Sequence, residues 1–187
     1  AVLIHYRKEQ EMSTARTVLF ILLVGTITGC QSMKTQPYTS APVGVSISGS
    51  QSTGYVVDSV NLIQSNVQAS PEALSFCFGQ NIPGISGSPM LNPSQTKITA
   101  QGNDQVSFIV PMTMGTPLNF DLFFSVTSEI SNNDLNFNFK NLNIKGTWSA
   151  NINPLPGSQE AHLYVDGALE KFRMISERVA NCVRDEN

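Results

Sequence analysis

The sequence predicts an α+β fold, in which an antiparallel β-sheet packs against a long C-terminal helix and a short N-terminal helix. Residues 105–140 alternate between apolar and polar side chains, the pattern of strands with one buried and one solvated face. Residues 158–183 change to apolar spacings of three and four, which is typical of an amphipathic helix. Charged residues make up only 13% of the 187 residues. Asn, Ser, Gln and Thr take their place, and this composition suits strands with uncharged polar faces.

Two strands are predicted at the start of the domain. Residues 43–47 alternate Val or Ile with small residues and indicate a first strand. Gly54–Ile63 indicates a second strand. The residues predicted to face the core from it are Val56, Val60 and Leu62.

The stretch SPEALSFCFGQN predicts a short helix. Ser70 is a favourable N-cap, Pro71 suits the first helical position, and Glu72 complements the positive end of the helix dipole. Gly79 is predicted to lie just past the last helical residue. Cys77 is then expected in the last turn.

The clearest strands follow a Pro- and Gly-rich loop at residues 82–94. Residues 105–110 form one strand, residues 120–130 a long second one, and residues 135–140 return after a turn at residues 131–134. The residues predicted to face the core are Val106, Phe108, Val110, Phe120, Leu122, Phe124, Val126, Ile130, Leu135, Phe137 and Phe139. Trp148 and Ile152 are candidates for extending this sheet.

The final helix presents one apolar stripe. Its members are Ala161, Val165, Ala168, Leu169, Phe172, Ile175, Val179, Cys182 and Val183. Ser158 is a candidate cap, and Gly167 weakens the middle of the helix by about 1 kcal/mol relative to Ala. The alternative is a strand at residues 162–165 with a helix only from Gly167. The order of elements resembles that of TATA-binding-protein-like or helix-grip domains, a topological resemblance that implies no function.

The apolar run Val18–Ile27 has three interpretations. It holds about ten residues, whereas a membrane-spanning helix needs about 20. A core helix fits the length, but the run has no polar face. A signal peptide fits best, because Met12 is a possible start, Arg16 supplies positive charge, and small residues follow the apolar run before Cys30.

The four residues Ile27-Thr28-Gly29-Cys30 resemble the lipobox of bacterial lipoprotein signal peptides. The resemblance implies that Cys30 is lipidated and becomes the first mature residue, with a stable membrane anchor. It also implies three regions: an upstream leader and signal peptide at 1–29, which is removed, a lipidated tether at 30–42, and a single α+β domain at 43–187. Gln31, in place of Asp, is similar to the pattern of outer-membrane sorting in double-membrane bacteria.

Lipidation of Cys30 would leave Cys77 and Cys182 as a pair. In an exported protein a disulfide is the natural expectation, and a reactive thiol or a metal site are the alternatives. A metal site needs more ligands, and His162 is the only histidine after residue 30. We therefore expect a Cys77–Cys182 disulfide and no metal.

No catalytic constellation is evident. The loop Gly84–Ser88 lacks the spacing of a nucleophile elbow, and His162 is the single candidate base. Asp121 and Glu129 share a strand face but lie too far apart for one site. The net charge of −3, without a basic cluster, gives no reason to expect nucleic-acid binding, and no cofactor motif is present.

The phenylalanines have two interpretations. Those facing the helix are expected to form the core, and alternatively they line a cavity for an apolar ligand. Phe123 is predicted to point onto the solvent face, where it would mark a partner surface or a covered second face.

The sequence thus predicts a lipid-anchored protein of the cell envelope, on the periplasmic side of the outer membrane if the cell has two membranes. Its expected role is structural or protein-binding, with envelope proteins as candidate partners. The alternative is a carrier of an apolar ligand between helix and sheet. An enzyme is the least expected class.

Overall fold

The computed structural model describes residues 35–109, 116–147 and 149–186. These residues form an antiparallel sheet with two helices, which confirms the α+β class. The strands are β1 Val45–Ser50, β2 Gly54–Gln64, β3 Met90–Leu91, β4 Lys97–Ile109, β5 Pro117–Ser131, β6 Asp134–Gly146 and β7 Asn153–Pro154. The helices are α1 Pro71–Asn81 and α2 His162–Asp185. The strand order is β1-β2-β6-β5-β4-β3, and β7 pairs with β6.

The hairpin of β5 and β6 is the centre of the sheet. Its turn is formed by Asn132 and Asn133, both with positive φ (48° and 67°), as a two-residue hairpin connection with the right twist requires. The predicted turn is therefore confirmed. From β5 the residues buried on the helix side are Phe120, Leu122, Phe124, Val126 and Ser128. Among the described residues the Ser128 hydroxyl has no hydrogen-bond partner.

Two bulges alter the register that simple alternation predicts. Ser46 pairs with Ser59 but Ile47 pairs with Val57, so β2 carries one extra residue, Asp58. From the bulge towards the start of β2, the core-facing positions are shifted by one residue relative to the predicted alternation. Val57 is therefore buried at 4% exposure, and the prediction that Val56 faces the core is wrong.

The second bulge lies in β6, where Asn141 has a φ of 52°. Up to Lys140, β6 pairs with β2. After the bulge the two strands separate, and residues 153–157 fill the gap between them. Leu155 marks this junction, because its N–H donates to Leu142 O (2.8 Å) and its carbonyl accepts from Val57 N (2.9 Å).

The short helix α1 follows β2, and its N-terminal end is as predicted. Ser70 caps it, with its hydroxyl oxygen accepting from Ala73 N at 3.1 Å, and Pro71 begins the helix. The prediction that Gly79 ends the helix is wrong, because α1 continues to Asn81. Ile82, the residue that follows, is buried in the core, so packing extends the helix beyond its glycine.

The long helix α2 starts at His162, after a single 3-10 turn at Gln159–Ala161. A helix rather than a strand therefore covers residues 162–165. The predicted stripe faces the sheet, and its members from Val165 to Val183 are buried except for the half-buried Cys182. Aromatic rings fill the space between the layers. Phe172 of α2 stacks on Phe139 of β6 with ring centroids 4.3 Å apart.

Candidate functional site

The structure joins Cys77 of α1 to Cys182 of α2 in a disulfide, with an S–S distance of 2.04 Å. Both helices lie on the same side of the sheet, and Cys77 is fully buried. The bond connects positions 105 residues apart. It occupies both thiols, so neither is available as a nucleophile or a metal ligand.

Part of the segment predicted to be the tether contacts the domain. Tyr38 N donates to Gly157 O at 2.9 Å, and Gln159 N donates to Gln36 O at 2.9 Å. The Tyr38 hydroxyl donates to Asp166 Oδ1 of α2 at 3.0 Å. Burial raises the pKa of Tyr38 above the usual 10.0, and the hydrogen bond to Asp166 and its charge raise the pKa further.

The candidate catalytic residues are not assembled into one site. His162 begins α2, and its Nδ1 is 2.9 Å from the Gln159 carbonyl oxygen. Glu129 forms an ion pair with Lys97 at 3.0 Å, whereas Asp121 lies opposite Lys145 in the ladder. The loop Gly84–Ser88 runs along the edge of β4, where Ser86 N donates to Gln101 O.

The face of the sheet opposite the helices, which we call the open face, is lined mainly by uncharged polar side chains. The charged residues on the same face are Lys97, Asp121, Glu129, Lys140 and Lys145. Cross-strand hydrogen bonds connect many of the uncharged side chains. The side-chain pairs are Thr99 with Thr127, Ser107 with Asn119, Asn61 with Asn138, and Asn141 with Ser125. These bonds fix the side chains in place before any ligand or partner arrives.

Phe123 lies near the middle of the open face, as its position in β5 predicts. It is half-buried, with Asn103 beside it on β4 and Asn143 beside it on β6. Around it is a depression of about 430 Å³, which we call the Phe123 depression. Its polar lining includes the side chains of Gln101, Asn103, Ser125, Asn141 and Asn143, and none of its lining residues is charged.

The remaining phenylalanines lie on the helix side, where they pack on one another. Phe124 contacts Phe172 edge to face at 5.5 Å between centroids, and Phe78 stacks with Phe137 at 6.2 Å. Phe78, Phe137 and Phe172 are at most 1% exposed. These rings have the packing of a core.

Within residues 35–109, 116–147 and 149–186, no three His, Cys, Asp or Glu side chains are grouped as a metal site would require. In the same part of the chain, no helix combines the length and apolar character needed to cross a membrane. Cys30 and the rest of the predicted lipobox lie outside the described residues, as do Val110 and Trp148.

No protein-family model and no curated protein matches the sequence. Among solved structures, the chain is similar to a DUF4468 family protein from Bacteroides ovatus, with a TM-score of 0.44 and 7% sequence identity. The alignment covers 66% of this chain and 86% of that chain. A similarity of this size supports no conclusion about family or function.

The alternation in β5 predicts Phe123 on the solvent face but does not predict which residues surround it. Asn103 and Asn143 become its neighbours only through the pairing of three strands. Asn141 was the signal in the sequence that could have indicated the bulge, because asparagine tolerates the positive φ that the bulge requires.

Proposed function

We propose that this protein is a lipid-anchored lipoprotein of the cell envelope, and that its folded domain binds a partner through the open face. The anchor is assigned to Cys30, preceded by Ile27-Thr28-Gly29 and the apolar run Val18–Ile27. Gln31 favours the outer membrane, facing the periplasm, in a cell with two membranes. The Cys77–Cys182 disulfide supports an oxidising compartment.

The contacts of the segment around Tyr38 limit the distance between the domain and its proposed membrane anchor. Among the described residues, Gln36 accepts a backbone hydrogen bond from Gln159, and at most the five residues 31–35 separate the lipidated cysteine from this contact. A segment of that length spans at most about 20 Å. The domain would therefore remain close to the membrane surface.

The polar side chains of the open face are the main support for the proposed binding role. Helices and loops cover one side of the sheet, whereas the other side presents polar side chains, many of which are fixed by cross-strand hydrogen bonds. Preorganised groups lose little freedom on binding, so such a surface suits recognition. The carrier alternative would need space between α2 and the sheet, where Phe139 and Phe172 are in ring contact.

Metabolic labelling with an alkyne analogue of palmitate tests the anchor. We expect the wild-type chain to incorporate the label and to fractionate with membranes. Cys30→Ser should abolish labelling, and Ser32→Ala, a nearby matched control, should leave it unchanged. Labelling decides the question better than fractionation alone, because an uncleaved signal peptide would also hold Cys30→Ser at the membrane. An unlabelled wild-type chain, or a labelled Cys30→Ser variant, would contradict the proposal.

Photo-crosslinking in cells tests the open face separately. A photoreactive residue at Gln105, exposed on that face, should give discrete crosslinked products. The same residue at Glu177, exposed on α2, is the control and should give none. Products from Glu177 alone would place the partner on the helix side and contradict the assignment.

A further inference from the structure

The Phe123 depression combines an aromatic ring with amide side chains on both sides. We propose that it is a binding site for a neutral saccharide. The proposal rests on the binding role of the open face given above, and it names the class of ligand. Nothing in it depends on the lipid anchor.

The amide groups are held in defined orientations. Asn103 Nδ2 donates to Gly84 O at 3.1 Å, Asn141 Nδ2 to Ser125 Oγ at 3.1 Å, and Asn143 Nδ2 to Asn141 O at 2.8 Å. Within the described part of the chain, the Oδ1 atoms of these three residues accept no hydrogen bond. The site therefore offers fixed acceptors to a ligand that carries donors.

The absence of charge among the lining residues narrows the ligand class. Phosphate and carboxylate ligands are usually held by Arg, Lys or a helix N-terminus, and the lining offers neither a cationic side chain nor a helix end. A cationic ligand would likewise find no carboxylate among the lining residues, since Asp121, two positions before Phe123 on the same face, is outside the lining and lies opposite Lys145. A hydrocarbon would cover the amide oxygens without pairing them, which costs free energy for each unmet group.

A saccharide can form hydrogen bonds with the amide groups of the site and can also cover its aromatic ring. Each sugar hydroxyl can donate and accept a hydrogen bond, which matches a lining of amides and hydroxyls. The C–H face of a sugar ring is apolar and can lie on the half-buried ring of Phe123. The volume of about 430 Å³ falls within the range of small-molecule sites.

A peptide is the competing neutral ligand, and the position of the depression disfavours it. Extended peptides commonly bind by adding a strand to an unpaired sheet edge. Phe123 lies on β5, which pairs along both edges with β4 and β6. Its backbone groups are therefore committed to the sheet, and recognition must come from side chains.

Saturation-transfer difference NMR tests the proposal with cellobiose, maltotriose and N,N′-diacetylchitobiose at millimolar concentrations. The full-length chain is kept in a polyoxyethylene detergent, because its headgroup contains no sugar. We expect saturation transfer to the ring C–H protons of at least one saccharide. Phe123→Ala should weaken binding by about tenfold or more, and Phe123→Tyr should retain it.

Two further variants keep the test decisive. Gln101→Ala removes an exposed amide of the lining and should weaken binding about threefold to tenfold without affecting folding. Ile63→Ala removes an apolar side chain that is 64% exposed on the same face, outside the depression, and should have no effect.

The outcomes separate this inference from the proposed function. Absence of transfer to every saccharide, or equal transfer with Phe123→Ala, would overturn the saccharide assignment. Transfer to the peptide acetyl-Gly-Asn-Ser-Gly-amide alone, lost in Phe123→Ala, would also overturn it. In either case discrete crosslinks from Gln105 would leave the binding role of the open face standing, and their absence would remove that role as well.

Discussion

At the scale of single residues, Tyr38 holds the segment before β1 on the domain. Its hydroxyl donates to Asp166, a contact that spans 128 positions in the chain. Deprotonation of Tyr38 would place a second negative charge beside this carboxylate. Because the pKa of Tyr38 is raised in the folded protein, the stability that this contact contributes depends on pH.

We predict that Tyr38→Phe lowers the free energy of unfolding by about 1 kcal/mol at neutral pH, the usual net value of one hydrogen bond. Because the folded-state pKa is raised above 10.0, the contribution of Tyr38 is fully present below pH 10.0. It is lost as the pH rises from there through the folded-state pKa. Urea unfolding of both proteins at neutral pH and above pH 10 measures the difference.

Tyr55→Phe is the matched control for this experiment. In the described part of the chain, the Tyr55 side chain takes part in no hydrogen bond, so this variant should unfold like the wild type at neutral pH. A difference between Tyr38→Phe and the wild type that persists unchanged at high pH would show that the contact with Asp166 is not its source.

At the scale of elements, the packing of α2 on β4 depends on Gly167. A Cβ atom at this position would lie 2.7 Å from Cγ1 of Val106, which is buried at 1% exposure. Replacing Gly by Ala inside a helix normally gains about 1 kcal/mol, but overpacking a core costs about 1–3 kcal/mol. The cost of overpacking should exceed the gain in helix stability, because the β-branched Val106 has little freedom to move.

We therefore predict that Gly167→Ala lowers the free energy of unfolding by about 1 kcal/mol. In a Val106→Ala background the clash is removed, and the same substitution should become stabilising by up to about 1 kcal/mol. A double-mutant cycle by urea unfolding measures this change of sign.

Gly79→Ala provides the control for backbone entropy alone. Gly79 lies inside α1, and a Cβ atom there would meet nothing within 4 Å. This variant should gain about 1 kcal/mol of stability. If Gly167→Ala stabilises the wild-type chain as much as Gly79→Ala does, the packing argument at Val106 is wrong.

The elements that the sequence predicted best are those whose pattern is local. The alternation in β5 and the stripe of α2 each lie within one continuous segment. Asp58 and Asn141 each add one residue to a strand, and a single insertion leaves no periodic signal. The end of α1 was missed because the burial of Ile82, a tertiary effect, outweighs the helix-ending tendency of Gly79.

The candidate site was less predictable than the fold, for a related reason. The strand pattern placed Phe123 opposite Phe124, on the open face. The residues beside it come from β4 and β6, and their alignment depends on register and on the bulge at Asn141. A site lined by uncharged side chains also leaves no charge pattern in the sequence from which it could be predicted.

At the scale of the whole molecule, the Cys77–Cys182 disulfide links the two helices across 105 positions of the chain. Its closed loop contains all the strands from β3 to β7. The unfolded chain therefore loses much of its conformational freedom when the bond is formed. In the chain-entropy model, a loop of this length contributes about 4–5 kcal/mol.

We predict that the double variant Cys77→Ala/Cys182→Ala loses up to about 4–5 kcal/mol of unfolding free energy relative to the oxidised wild type. Its urea m-value should rise, because the unfolded chain without the cross-link exposes more surface. Each single variant should lose a similar amount, since either substitution removes the bond. The reduced wild-type chain is the control that leaves the sequence intact, and it should match the double variant. Equal stability of oxidised and reduced wild type, or free Cys77 and Cys182 thiols by non-reducing mass spectrometry, would contradict the bond.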